Sequence, residues 1–511
     1  MAGPDEDKLV IEGETIPTEA AAPEGSPFET LYSGWRYRNE NPEFGGNLRW
    51  GVTPNVSLSA TVNPDFSQVE ADVAQIQFDP RQAVSFPEKR PFFLEGSENF
   101  SVPNGLIYTR SIVDPVGAAT MTGKVGGFTI GALSAVDDDG LSWAGPGAGN
   151  SPVVNILRVR RDVGEASSWG AVYTDRFDGD DYNHVAGLDG RFILGDDYTL
   201  TVQGAGSLTS VAGTDLTGWL WDGRIEKSGR RWGWSGYLKG YDDDFIAGAG
   251  FVSRKGVYSG LVPRVTFFGD PGSALESWST AVNLSAWWLY DRFSGGEGRP
   301  DEAKVHFNNS LALRGGWRVG MSLLVENFLY PDYLYGDYAI ELRNDAGAVV
   351  DTVPFVGRPS INNYDLAVSV GTPQFPKFSA NAFVLFGRDE NFAEWAPGWI
   401  TWVNLSADWR PTDRVRVAPT YNETRVMRTT DWSQVRVTQV PRLKVEYQVS
   451  RPFFVRVVGQ YVSFRQDDLR DDGLHLGGRR RRRPPRLARC ARTAPGEPQQ
   501  HARRAGGRRP G

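Results

Sequence analysis

The chain has one cysteine, four methionines, no apolar run near the roughly 18 residues of a membrane-crossing helix, and no long helical periodicity. Each shortage excludes something. The one cysteine, Cys490, lies in a tail of odd composition, so the body has no disulfide framework, which suits an envelope protein facing an oxidising periplasm. Of the four histidines, His475 and His501 lie in or beside that tail, while His184 and His306 have no partner four residues away. With no CxxC pair either, no zinc site is expected. Neither a G-x-S-x-G elbow nor a phosphate-binding GxxxxGK[ST] loop occurs. The 62 acidic residues contain many accidental carboxylate pairs, and spacing selects none for glycoside chemistry. Catalytic residues, metal and cofactor are therefore all assigned as none. The opening Met-Ala-Gly-Pro-Asp-Glu-Asp-Lys lacks the apolar core of a secretory leader, so a fragment or a mis-assigned start is expected.

What is present is alternation. Trp278–Trp288 and Trp399–Trp409 both read W-x-T-x-V-N-L-S-A-x-W. Trp, Thr, Val, Leu, Ala and Trp occupy one face of each, with Ser, Asn and Asp mostly on the other; Ala281, Trp287, Ile400 and Trp402 break the pattern. Ten steps of about 3.3 Å, tilted by about 40°, rise about 25 Å, the height of the apolar band of an outer-membrane barrel. Trp278, Trp288, Trp399 and Trp409, with Trp317 on a further strand, are the expected membrane-interface residues. Only alternate residues of a barrel strand meet lipid, so a mean hydropathy of −0.39 is compatible with a membrane protein. A soluble all-β sandwich is the alternative, but its strands average about five or six residues.

Val305, Phe307, Leu311 and Leu313 oppose Lys304, His306, Asn308, Ser310 and Arg314; after Gly315-Gly316, Trp317–Val325 alternates against Arg318, Gly320, Ser322 and Glu326. This is a hairpin with one greasy and one charged face. Similar runs are 364–370, 378–386, 414–421, 443–449 and 453–461. The polar faces nominate Lys304, His306, Arg314, Arg318, Glu326, Arg414, Arg416, Arg442, Lys444 and Arg456 as lumen-lining, with a basic wall on the late strands facing acidic segments elsewhere. At about 20 residues per strand and loop, the complete fold is expected to be an all-β, antiparallel transmembrane β-barrel of 16–20 strands, an even number, with an irregular N-terminal segment. Polar connections at 137–150, 293–303 and 389–397 read as outward loops. Acidic tips at 137–139, 178–181 and 242–244 match no calcium-loop spacing and read as solvated.

Four regions are expected: 1–44, a Pro-, Glu- and Ala-rich linker or remnant of an upstream domain; 45–116, a first hairpin around Thr53-Pro54-Asn55 plus an irregular segment; 117–470, the barrel; and 471–511, an aberrant tail. From Arg479 the tail holds 12 Arg and one Glu, which puts about −18 of charge on the preceding residues of a chain whose net charge is −7. Arg, Pro, Gly and Ala share GC-rich codons, so a shifted reading frame explains the tail better than nucleic-acid binding, which an acidic body also disfavours.

The run Asn63-Pro64-Asp65-Phe66-Ser-Gln68-Val-Glu70-Ala-Asp72, followed by Phe86-Pro87-Glu88-Lys89-Arg90-Pro91-Phe92-Phe93-Leu-Glu95-Gly96 and Phe100, is long and idiosyncratic. It resembles an uncharacterised bacterial family, domain of unknown function 5916. The resemblance implies an export signal and a module similar to carbohydrate-binding family 9 upstream, then an outer-membrane barrel spanning about 28–470. It supplies no established activity. Read from its residues, the segment is a packed non-strand element near the barrel, because Pro87 and Pro91 prevent a regular helix or central strand, with Lys89 and Arg90 paired to carboxylates.

The function these features imply is passage or uptake of small polar solutes or saccharides across an outer membrane. The partners implied are membrane lipid and lipopolysaccharide, the barrel assembly machinery and a saccharide, without nucleic acid. A membrane-anchored hydrolase acting on surface glycan or lipid, and a structural anchor for a carbohydrate-binding module, are the alternatives.

Overall fold

Period-two alternation becomes strand almost throughout. A computed structural model describes residues 45–64, 75–76, 78–138, 141–143, 150–330 and 360–467, and the backbone of short strands at Val10–Pro17, Leu31–Arg36, Tyr338–Arg343, Val349–Pro354 and Arg489–Arg492. The expectations for 1–44, for Asp65, Phe66, Gln68, Glu70 and Asp72, and for the Arg-rich tail lie outside these residues. The fold is all-β, an antiparallel sheet of 21 strands with almost no helix.

Two compact units divide the chain: 1–73, 83–224 and 239–255 form the first; 74–82, 225–238 and 256–511 form the second. In the first, β1 (Gly46–Thr53), β2 (Val56–Val62), β3 (Pro115–Val125), β4 (Phe128–Asp137), β5 (Val153–Val163), β6 (Ser167–Asp178), β7 (Asp181–Leu194) and β8 (Tyr198–Val211) each pair with the next. Strands β9 (Thr214–Lys227) and β10 (Trp232–Tyr241) give residues to both units. The second unit holds an antiparallel meander of β11 (Gly256–Phe268), β12 (Leu275–Trp288), β13 (Glu302–Leu313), β14 (Trp317–Leu329), β15 (Ser360–Gly371), β16 (Phe378–Asn391), β17 (Ala396–Thr412), β18 (Val415–Arg428) and β19 (Gln434–Gln448). Last come β20 (Phe454–Gln460) and β21 (Ser463–Gln466), which pair with successive halves of β19. They are one interrupted ribbon. Counted so, 21 strands become 20 ribbons, whereas a simple strand count exceeds the expected 16–20.

The expected hairpins form. Thr53 pairs with Val56 around Pro54-Asn55, and Leu313 pairs with Trp317 across Gly315-Gly316, whose φ angles of +87° and +88° suit residues without a Cβ. Strand β15 shows the sheet's polarity most clearly. Tyr364, Leu366, Val368 and Val370 are exposed, while Asn363 and Asp365 are buried at 1% and 5% exposure. Strand β14 repeats it: Met321, Leu323 and Val325 face outward, and Glu326 is 3% exposed.

In the first unit the described residues between β2 and β3 form no strand. A four-residue turn of helix, α1 (Pro91–Leu94), and two short 3-10 turns carry Phe93, Phe100 and Ile112 into a core with Ala118, Leu133, Ala135, Val154 and Ile156 of β3–β5. Gly131 of β4 admits the Phe100 ring, which would lie 2.9 Å from a Cβ at that position.

Several loop expectations are corrected. Glu302 opens β13 and Asp389–Asn391 closes β16, and Glu390, Asn391, Glu394 and Trp395 are buried rather than solvated. Two acidic tips also turn inward at one residue. Asp137 accepts the backbone N–H of Val113 and Asp114 at 2.9 and 2.8 Å, and Asp178 accepts Ser142 Oγ–H and Trp143 N–H. A buried carboxylate needs such donors, and these tips were read from composition, which does not show them.

Candidate functional site

Antiparallel register builds the site. Lys304 of β13 lies directly opposite Glu326 of β14, which lies opposite Asn363 of β15, so the three form a row across the packed face of the second unit. Lys304 Nζ is 2.8 Å from Glu326 Oε1 and 3.3 Å from Glu302 Oε2. Asn363 Nδ2 donates to Glu390 Oε1 at 2.8 Å and approaches Asp389 Oδ1 at 3.4 Å. Oxygens of Glu326, Asp389 and Glu390 all lie within 4.8 Å of one another. Asp365, one alternate residue along β15, is buried on the same face.

Arg81 closes one end of the row. Its Nη1 donates to Glu302 Oε1 at 2.7 Å, while Nε and Nη2 grip both oxygens of Asp79 at 2.9 and 2.7 Å. The guanidinium carbon lies 4.7 Å from the Phe328 ring, 5.1 Å from Phe392 and 5.6 Å from Trp287. Burial works against its charge, but the bonds to Asp79 and the field of Glu302 prevail and raise its pKa. Tyr330 packs edge-on against Phe328 and Phe392 and donates to the Ala396 carbonyl at 2.9 Å. Burial, then the charges of Glu390 and Asp389, hold its phenol well above the usual range. Nearby, Arg428 and Glu394 form an ion pair with neither side chain exposed, and Arg428 Nη1 also donates to Ser433 Oγ and the Gln434 carbonyl. Such a pair gives geometric specificity more than net stability.

Of the nominated residues, Lys304 and Glu326 join this row. His306 sits one alternate position away on β13, with Nδ1 unbonded among the described residues. The late basic residues meet an acid on the same or a neighbouring strand. Arg416, Lys444 and Arg456 lie 3.3, 3.9 and 2.9 Å from Glu446, and Arg416 also bonds Asp408. Arg442 is buried, while Arg314, Arg318 and Arg414 are exposed near strand ends. Trp278, Trp317 and Trp409 are exposed. Trp399 stacks between Phe386 and Trp432, and Trp288 is half-buried against Phe293. The pattern-breaking Trp287 and Ile400 are buried on the packed face.

Sequence reasoning missed Arg81, Glu302, Asn363, Asp365, Asp389 and Glu390. Strict alternation placed Asn363 and Asp365 beside Tyr364 and Leu366, a signal strong enough to have found them. Asp389 and Glu390 were hidden by a loop-like composition.

In the first unit, Arg90 anchors the irregular segment. It makes a two-bond contact with Glu88 at 2.9 and 2.8 Å, donates to the Ile112 and Thr109 carbonyls at 2.7 and 2.9 Å, and lies 4.2 Å from the Phe93 ring. Glu88 also accepts the backbone N–H of Lys89 and Arg90 and the Thr109 hydroxyl. Burial pushes the Glu88 carboxyl up, but the Arg90 and Thr109 bonds outweigh it and hold the pKa at about 2. Glu95 forms an exposed pair with Arg49 at 2.6 Å. Further along, Asn104 donates to Gln203 and Asp222 and accepts from Tyr241, while Arg158 pairs with Asp189 and donates to the Ser101 carbonyl at 3.1 Å.

This segment carries the family likeness. Residues 26–123 match the family model described as Domain of unknown function (DUF5916). The match covers β1, β2, the Glu88–Arg90 anchor and most of β3, so the motif and the elements it organises coincide. No curated protein matches the chain.

Proposed function

We propose that the sheet closes into an outer-membrane β-barrel that passes small polar solutes, saccharides among them. The observation that carries this reading is the reversed polarity of the strands: Met321, Leu323, Val325, Tyr364, Leu366 and Val368 are exposed, while Glu326, Asn363 and Asp365 are buried behind them. Burying polar groups and exposing apolar ones is unfavourable in water and favourable when lipid covers the outer face. Lipid and lipopolysaccharide are then the partners of the exposed face, and delivery requires the barrel assembly machinery. The polar face, with Lys304, Arg416, Lys444 and Arg456, supplies the charges that orient water and solute.

A second reading, a closed barrel anchoring a surface module, is favoured by the Phe93–Phe100–Ile112 core, which covers the packed face of β3–β5. Planar-bilayer conductance separates the two. Passage predicts discrete conductance, with Lys444→Glu and Arg456→Glu together shifting the reversal potential toward cations. A chain that inserts and stays silent overturns passage and favours the anchor.

A further inference from the structure

We propose that Glu326, Asp389, Glu390 and Asn363 form a site for a hard divalent cation, calcium in preference to magnesium. Three carboxylates offer oxygens within 4.8 Å of one another, the spread of ligands around one ion. Such a cluster alone says little, since acidic groups often gather without an ion. Two further observations concern orphaned oxygens. Asn363 is 1% exposed, its amide nitrogen is used on Glu390 and Asp389, and its Oδ1 meets no hydrogen-bond donor among the described residues. Glu326 is 3% exposed, and its Oε2 likewise meets no donor among them. A buried acceptor without a donor costs about 1–3 kcal/mol, and more when charged. The two residues lie directly opposite each other on β14 and β15, so one cation between them would serve both atoms.

Charge points the same way. Glu326, Asp365, Asp389 and Glu390 gather on one face, and among the described residues Lys304, shared with Glu302, is the ammonium in contact with them. Several unneutralised buried carboxylates must take up either protons or a cation. The donor set consists of oxygens without thiolate or imidazole, which selects calcium or magnesium over zinc and copper. Carboxylates and an amide carbonyl on three neighbouring strands give irregular, protein-supplied coordination. Calcium accepts this readily, whereas magnesium demands a near-ideal octahedron and retains its waters.

The test uses the full chain folded in detergent micelles, stripped with EDTA and titrated with calcium chloride alone by calorimetry. One equivalent should bind per chain, about tenfold or more weakly in Asn363→Ala and Glu390→Gln, and unchanged in the exposed-loop variant Asp270→Asn. Since cluster variants can misfold, the wild-type chain is also melted in calcium and in EDTA, with a higher Tm expected in calcium. No saturable binding together with coincident wild-type melts overturns the proposal, and protons then carry the neutralisation. Binding that survives unchanged in both cluster variants also overturns it by placing the ion elsewhere. Neither result bears on conductance.

Discussion

Arg90 uses its charge on neighbours within its own segment. Its side-chain N–H groups make five hydrogen bonds, two to Glu88 and one each to the Thr109, Ile112 and Val113 carbonyls, and the guanidinium lies over Phe93, all with the side chain 7% exposed. Removing one partner of a buried pair leaves the other uncompensated, at a cost of about 3–5 kcal/mol. Arg90→Met is therefore expected to lower folded yield and the melting temperature sharply, read as heat-modifiable mobility on gels; a wild-type melt would contradict this role. The Glu88 carboxyl adds a pH signature. Its pKa falls from 4.5 unfolded to about 2 folded. Its stabilisation is thus complete above pH 4.5 and is lost as pH falls from there through about 2, on the order of 3 kcal/mol in all. The melting temperature of the wild-type chain should drop across that window relative to Glu88→Gln. Parallel profiles would refute the assignment.

At the scale of elements, the short helix α1 ends where the chain must reverse, and Gly96 makes the turn at φ +70°. A Cβ there would lie 2.7 Å from Thr122 Oγ1 of β3. Gly96→Ala is expected to cost about 1–3 kcal/mol through combined strain and contact. Adding Thr122→Ser, which removes the methyl also crowding that position, should recover part of it. No loss on Gly96→Ala would show that the segment can shift off the sheet. Strands and their facing were the legible part of this sequence, because period two survives single exceptions. Even the exceptions had meaning: Trp287 and Ile400 broke the alternation because each packs on the inner face, Trp287 beside Arg81 and Ile400 with Val426 and Val435. The acidic row was only half legible. Lys304 and Glu326 stood in clean alternation, whereas Glu302, Asp389 and Glu390 sit at strand ends, where composition resembles a solvated loop. Their burial depends on Arg81 and Tyr330 arriving from elsewhere in the chain, which no local pattern encodes.

For the whole molecule, the central claim is that lipid covers the Met321–Val325 and Tyr364–Val370 face. Nitroxide labels placed singly at 321, 322, 323, 325, 366 and 368, after Cys490→Ser, test it most directly in folded chain reconstituted into bilayers. The account predicts that collisions with oxygen, which concentrates in lipid, dominate at 321, 323, 325, 366 and 368, while the label at 322 is shielded or favours a water-soluble nickel complex. Nickel accessibility at all six positions, or no alternation along β14, would contradict a membrane-facing sheet.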